Sequence, residues 1–303
     1  MSINCNLMHL LYPPQSSKDT GLGNTLYQLA TMYALSKEYG FEINIYELEL
    51  YCNLLEKFNF DHKNKIFYNF FKNYKNYLLN NNNIIKEGEI FHVEQFLDNN
   101  FINRIKKNLN NNIIIEGYFQ SHLYFDKYKL DIYKLFKIDY NSLNYIKNKN
   151  PILFDNNITS ICIHIRMNYA NSINYNFNYF EKAIKYFKER FNNIHFFIFS
   201  NKINLIENWF QDKCSCTYVT NNIDYIDLWI MSLCKHNIIT HSTFSWWGAY
   251  LNSNPEKIVL FPSDSLRISM GNLYPNKIYE QRRNEFYMPE WIEIEDETLY
   301  FYN

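Results

Sequence analysis

The chain has 303 residues, 47% of them hydrophobic and 19% aromatic, so it can bury substantial cores over about two domains, and wholesale disorder is excluded. With 30 Lys and Arg against 31 Asp and Glu, the formal net charge is -1, and no global positive field exists to gather nucleic acid or an anionic membrane. The apolar runs are all too short to span a bilayer, so no transmembrane helix is expected and only peripheral membrane contact stays open.

In chain order, Cys5 to Leu11 reads as a short strand, and Gly21-Leu22-Gly23-Asn24 then opens a helix. Leu26, Leu29, Ala30, Tyr33 and Ala34 recur at helical spacing on one apolar face, and Gly40 is its C-terminal cap. Phe41 to Ile45 alternates like a strand. Residues 46 to 112 show no pattern that orders them, and Ile113-Ile114-Ile115 is a short buried strand ending at Gly117. Asn141 to Asn157, rich in Asn and Lys around one Pro, is the expected linker. It divides the chain into domains 1–150 and 151–303.

Beyond Pro151 strands and helices alternate. Strand Ser160 to Ile165 leads to helix Phe177 to Phe191 and strand Ile194 to Phe199. Helix Ile203 to Gln211 and strand Thr217 to Thr220 follow. Helix Ile223 to Cys234, strand Asn237 to Thr240, a helix from Phe244 and strand Lys257 to Phe261 complete the series. Such alternation predicts an α/β fold whose parallel sheet is covered on both faces. The tail Glu290 to Glu297 is acidic and is expected to be a solvated surface segment.

Composition sharpens a few residues. The chain holds 46 Asn but only 7 Gly and six Arg, so Asn runs read as drift in surface loops. A retained Gly or a buried Arg carries correspondingly more information. The cysteines Cys5, Cys52, Cys162, Cys214, Cys216 and Cys234 form no CxxC pair and no zinc spacing. With no signal-like N-terminus they read as free thiols in a reducing compartment, and a cytoplasmic location is expected.

In open α/β sheets, ligands bind outside the carboxyl ends of the strands. That rule selects four segments. Gly21 to Asn24 offers free amides and the positive end of a helix, or is an ordinary glycine turn. In Ile163-His164-Ile165-Arg166, Arg166 offers a planar fork suited to phosphate oxygens. His164 is either a structural histidine or a ligand contact. Ser200 and Asn201 close a strand, where they can contact a ribose or phosphate or cap a helix. In His241 to Trp247, Ser242, Thr243 and Ser245 can cap the helix, contact phosphate, or do both, while Trp246 and Trp247 read as core. No DxD, HExxH or GxxxxGK[ST] motif is present, so no metal site and no P-loop are expected. An Arg, hydroxyls and helix amides facing an anion suit a nucleotide-diphosphate leaving group neutralised by the protein itself.

Together these segments resemble the bacterial-type α-1,2-fucosyltransferases, within the wider group that uses GDP-fucose. Gly21 to Ala30 is similar to the family's GLGNQ-F-Q-A segment. Glu116-Gly117-Tyr118-Phe119-Gln120-Ser121 with Tyr124-Phe125 resembles its GYFQS…YF block, and His164-Ile165-Arg166 the start of its HxRRxD motif. Asp227 through Ala249 resembles its C-terminal signature, and the matches run in family order from residue 21 to about 263.

The resemblance implies a GT-B architecture of two Rossmann-like domains facing a cleft, with an acceptor-side domain at 1–150 and a nucleotide-sugar-binding domain at 151–303. It implies a metal-independent, inverting transferase, with no cofactor beyond a nucleotide-sugar donor, that moves L-fucose in α-1,2 linkage to a hydroxyl of a glycan acceptor. Arg166 would bind the diphosphate and, with His164, form the catalytic pair. Gly23, Asn24, Ser200, Asp227, Ser242, Thr243, Phe244 and Ser245 would bind the donor. The pattern departs at Met167, where the motif's second Arg stands, and at Asn168, nearest to its Asp. An Arg restored at 167 is therefore expected to tighten nucleotide binding. The usual Asp-Asp is Asn201-Lys202 here, the usual Asn is His241, and no carboxylate among Glu116, Asp224 and Asp227 is singled out as general base. Another deoxysugar donor, such as a rhamnose nucleotide, and a glycan- or nucleotide-binding protein without turnover are the alternatives.

Overall fold

The computed structural model describes residues 7–11, 21–45, 84–86, 99–110, 113–167, 177–211, 213–263 and 276–295. The chain divides into two compact units, Met1–Asp139 and Tyr140–Asn303. Cys5, Cys52 and Asn168 lie outside the described residues.

The first unit carries a four-stranded sheet of order β2-β1-β4-β3, with every pairing parallel. Its strands are β1 (Leu7–Leu11), β2 (Glu42–Ile45), β3 (Ile84–Lys86) and β4 (Ile113–Glu116). Helix α1 (Leu22–Tyr39) connects β1 to β2, the crossover that parallel neighbours require. It ends as the sequence predicts: Gly40 takes the left-handed conformation at φ 75° and donates to the Ser36 carbonyl at 2.8 Å. Far from showing one apolar face, α1 is buried nearly all round, Tyr27, Gln28 and Thr31 included. Between residues 46 and 112, the described elements are β3 and helix α2 (Asn99–Lys107), whose Phe101 and Ile105 are buried. Helix α3 (Lys129–Leu135) closes the unit.

The second unit begins in helix α4 (Tyr140–Lys149), followed by a 3₁₀ turn over Pro151–Phe154. The predicted linker is thus structured. Ser142 and Ile146, one turn apart, bury one edge of a helix in which half of the positions are Asn or Lys. Six parallel strands follow: β5 (Thr159–Ile165), β6 (Ile194–Ser200), β7 (Cys216–Tyr218), β8 (His236–Ile238), β9 (Val259–Pro262) and β10 (Ile292–Ile294). Their order is β10-β9-β8-β5-β6-β7. The chain leaves β5 toward one edge, returns to β8 on its other side, and runs out to the opposite edge. This is the doubly wound dinucleotide-binding order, with its switch point between β5 and β8.

Helix α5 (Phe177–Lys188) covers one face, packing Tyr179, Phe180, Ala183 and Phe187 against Ile161, Ile163 and Ile165 of β5. The expected helix over Ile203 to Gln211 is broken into a 3₁₀ turn at Ile203–Leu205 and the short α6 (Glu207–Phe210). Helices α7 (Asp224–Leu233) and α8 (Thr243–Tyr250) pack together closely enough that a Cβ on Gly248 would stand 2.9 Å from Met231 Cβ. Trp246 and Trp247 are fully buried, as expected of core residues. The acidic tail is not wholly a solvated segment. Trp291 is buried, Ile292 to Ile294 pair with β9, and Glu293 forms an ion pair with Arg283 of helix α9 (Asn276–Phe286).

Candidate donor-binding site

The switch point sets the site. The β5–β8 ladder ends at Ile163↔Ile238, while β5 continues beside β6 to Ile165↔Ser200. His164, Ile165 and Arg166 therefore project at the carboxyl end of the sheet, next to the segment Thr240 to Ser245 that leads β8 into α8. Alternation along β5 sends Ile161, Ile163, Ile165 and Met167 into the apolar cluster under α5. Cys162, His164 and Arg166 take the opposite side. Arg166 is exposed, and its charge acts on His164.

His164 is 5% exposed, its ring 5.4 Å from that of Phe244. Its Nδ1 hydrogen-bonds Ser245 Oγ, and Thr240 Oγ1 donates to its carbonyl at 3.2 Å while standing 3.4 Å from Ser245 Oγ. Burial, aided by the Arg166 charge, pushes the imidazole down to about 3. His164 is thus held neutral and ties β5 to the first turn of α8. Ser245, itself 1% exposed, has its hydroxyl committed inside the protein.

Ser242 is the N-terminal cap residue of α8 in extended conformation (φ -144°, ψ 130°), yet its side chain makes no capping hydrogen bond. The hydroxyls of Ser242 and Thr243, half-buried at the positive end of the helix, stand where an anion would be bound. Ser200 Oγ accepts from Lys202 N at 3.1 Å, a local turn. His241 is also held neutral, at about 3, by burial and then by the Arg282 charge, with Tyr287 OH 3.5 Å from its Nδ1.

Asp227 lies in the first turn of α7 and accepts from Asn222 Nδ2 at 2.8 Å. Asn222 Oδ1 in turn accepts from Lys149 Nζ at 2.7 Å and Tyr145 OH at 3.3 Å, both on α4. Burial raises the Asp227 carboxyl to about 6 against the opposing pull of Asn222 and Lys149. A group so placed can accept a hydrogen bond from an amide or hydroxyl of a ligand as well as a proton.

In the first unit, the glycine helix start meets the Gly117–Gln120 block at the carboxyl ends of β1 and β4. Gln120 Nε2 donates to Asn24 Oδ1 and Gln28 Nε2 to the Gly117 carbonyl, each at 2.8 Å. Gly23 is buried beneath Asn24. Phe119 sits between them at φ 53°, an uncommon backbone state for a bulky residue, with its ring buried against Phe101 and Tyr124. Two sequence blocks recognised separately thus form one cluster.

For Asn201 the sequence left a ligand contact and a helix cap open, and the structure shows a third arrangement. Its side chain accepts from Met167 N at 2.8 Å and donates to Met167 O at 3.1 Å. Met167 itself is 3% exposed, so the position that matches the motif's second Arg is turned into the apolar cluster in this chain. Among the described residues no group of three His, Cys, Asp or Glu could hold a metal ion, and no helix is long and apolar enough to cross a membrane.

The doubly wound strand order of the second unit, with an arginine and a helix N-terminus at its switch point, belongs to an α/β protein of GT-B-like fold. The chain belongs to glycosyl transferase family 11, whose family model matches residues 18–295, and it is a glycosyltransferase. It is 34% identical over 176 residues to the Escherichia coli O-antigen biosynthesis glycosyltransferase WbnK, a match covering 54% of this chain and 58% of that protein. It is 27% identical over 267 residues to an Escherichia coli alpha-1,2-colitosyltransferase, covering 80% of this chain and 89% of the relative. Among solved structures, a mutant of Arabidopsis thaliana FUT1 in complex with GDP superposes with a TM-score of 0.50 at 9% identity, over 85% of this chain and 70% of that one, a likeness of fold alone.

Proposed function

We propose that the chain is an inverting, metal-independent transferase that moves L-fucose from GDP-fucose, in α-1,2 linkage, to a sugar hydroxyl of a glycan. The observation that carries this reading is the exposed Arg166, two residues beyond the His164 that is bonded to the first turn of α8, a helix whose cap residue Ser242 makes no side-chain capping bond. The acceptor oxygen attacks the anomeric carbon, and the bond from that carbon to the β-phosphate oxygen breaks. The electron pair leaves with GDP, and the hydroxyl proton passes to a base. Arg166 and the amides and hydroxyls of Ser242 and Thr243 stabilise the charge that grows on the departing diphosphate. His164, Thr240 and Ser245 keep strand and helix in register, so His164 supports catalysis without touching the reacting atoms.

Asp227 takes a polar group of the nucleotide, and within the first unit Gly23 and Asn24, the latter held by Gln120, are proposed as substrate contacts. The reaction is proposed for the cytoplasm, in keeping with Cys162, Cys214, Cys216 and Cys234, which are free thiols. The relative named as a colitosyltransferase favours a second reading with the same chemistry and another deoxysugar donor. Colitose is fucose without one hydroxyl. Transfer from GDP-fucose, GDP-colitose and a rhamnose nucleotide to a galactoside, measured in EDTA, tests the proposal. Product from GDP-fucose that persists in EDTA is expected. Activity lost in EDTA and restored by Mg²⁺ or Mn²⁺ overturns the metal-independent reading, product from another donor alone moves the assignment to that sugar, and GDP binding without product from any donor indicates a binding protein.

A further inference from the structure

The ladder between β5 and β6 ends at Ile165↔Ser200, and the next residues no longer pair backbone to backbone. Instead the Asn201 side chain takes both polar groups of the Met167 peptide, accepting at 2.8 Å and donating at 3.1 Å. The two bonds fix which end of the amide is which, since Oδ1 must face the N–H and Nδ2 the carbonyl. Met167 is held a second time by its side chain, buried in the cluster with Ile165 and Phe180. Arg166 thus stands between a strand end and a doubly anchored residue, and its backbone cannot drift although its side chain is exposed.

We propose that Asn201 is a positioning residue for the donor, acting through the Met167 peptide to aim Arg166 at the diphosphate. The inference rests on the reading that Arg166 binds that group. An exposed surface Asn in a chain with 46 of them would ordinarily be replaceable. Where the resembled family usually carries Asp, this chain has an amide that supplies one acceptor and one donor to the Met167 peptide. A carboxylate has two acceptors and no donor, so Asn201→Asp would set a negative oxygen against the Met167 carbonyl. A protonated carboxyl, with one donor and one acceptor, would restore both bonds.

The test is GDP affinity of the full chain by titration calorimetry, with thermal unfolding on the same samples. Wild type, Asn201→Ala, Asn201→Asp and Arg166→Ala are compared at pH 8. Asn201→Ala is expected to weaken GDP binding about tenfold at pH 8 with a melting temperature near that of wild type. Asn201→Asp is expected to match that loss at pH 8. A merely structural role would lower melting temperature and leave the GDP affinity of the folded protein unchanged. Wild-type GDP affinity in both Asn201 variants at pH 8 overturns the proposal. If Arg166→Ala also binds GDP like wild type, the donor-site reading itself has failed and the inference falls with it. If Arg166→Ala alone loses binding, only the role of Asn201 is lost.

Discussion

His164 on β5 and Ser245 in the first turn of α8 are joined through Nδ1 and Oγ, eighty-one positions apart in sequence, inside the protein. The bond couples the strand that ends in Arg166 to the helix whose N-terminus faces the same switch point. The imidazole is held neutral there by burial and then by the Arg166 charge, down to about 3 against an ordinary value of about 6.5.

Between those two values the unfolded chain binds a proton that folded His164 refuses, so stability is lost as pH falls below about 6.5, by about 1.4 kcal/mol per pH unit for this group. His236, pushed to about 4, and His241, to about 3, act in the same direction. Asp227, raised to about 6, acts in the opposite one: its folded state holds the proton more tightly below that value. The three histidines outweigh it. Unfolding free energy should fall from pH 7 to pH 5, and His164→Asn should flatten that slope by about one proton. A slope identical to wild type in the variant contradicts the buried neutral His164.

Thr243 opens α8 with its hydroxyl half-buried at the positive helix end. Deleting a hydrogen bond to an anion costs on the order of 1.5–3 kcal/mol. Thr243→Ala should weaken GDP binding roughly 10- to 100-fold while melting temperature moves little. A large loss of stability with unchanged GDP affinity would assign Thr243 to the fold instead.

Gly248 lets α8 lie against α7, since an added Cβ would stand 2.9 Å from Met231 Cβ and 3.1 Å from its Cε. The first of these atoms is fixed by the backbone and cannot swing away. Gly248→Ala should cost about 1–3 kcal/mol of unfolding free energy in urea, through overpacking rather than through lost backbone freedom. A stabilised variant would contradict the close approach.

Met167→Arg carries the opposite expectation from the one its sequence position suggests. Its side chain lies among Ile165, Tyr179 and Phe180, where a guanidinium would be desolvated without a partner at a cost of several kcal/mol. Loss of folded protein, or a sharply lower melting temperature, is the expected result. A stable Met167→Arg that binds GDP more tightly would place that side chain at the ligand after all.

The β-α alternation of the second unit was legible because its strands are buried on both faces, as in Ile161-Cys162-Ile163-His164-Ile165, and read as unbroken apolar runs. Trp246 and Trp247 were legible for the same reason. Helix α4 was not, because Asn and Lys dominate Tyr140–Lys149 and its helix is held through Ser142 and Ile146, by contacts with the rest of the unit. Strand β10 hides its Ile292–Ile294 alternation behind the charge of Glu290, Glu293 and Glu295. Asn201 was named with Ser200 at a strand end, but its bond to Met167 is a relation between two loops that a composition rich in Asn conceals. Arg166 stood out for the opposite reason, as one of six arginines.

The most direct test of the donor-site assignment is titration of GDP into wild type and Arg166→Ala at one pH and ionic strength. Arg166→Ala should remain folded, since its side chain is exposed at the end of β5, and should bind GDP at least about a hundredfold more weakly, the effect of losing a charge-assisted, two-pronged contact to phosphate. Equal GDP affinity in the two proteins would contradict the assignment of the diphosphate to the carboxyl ends of β5 and β8.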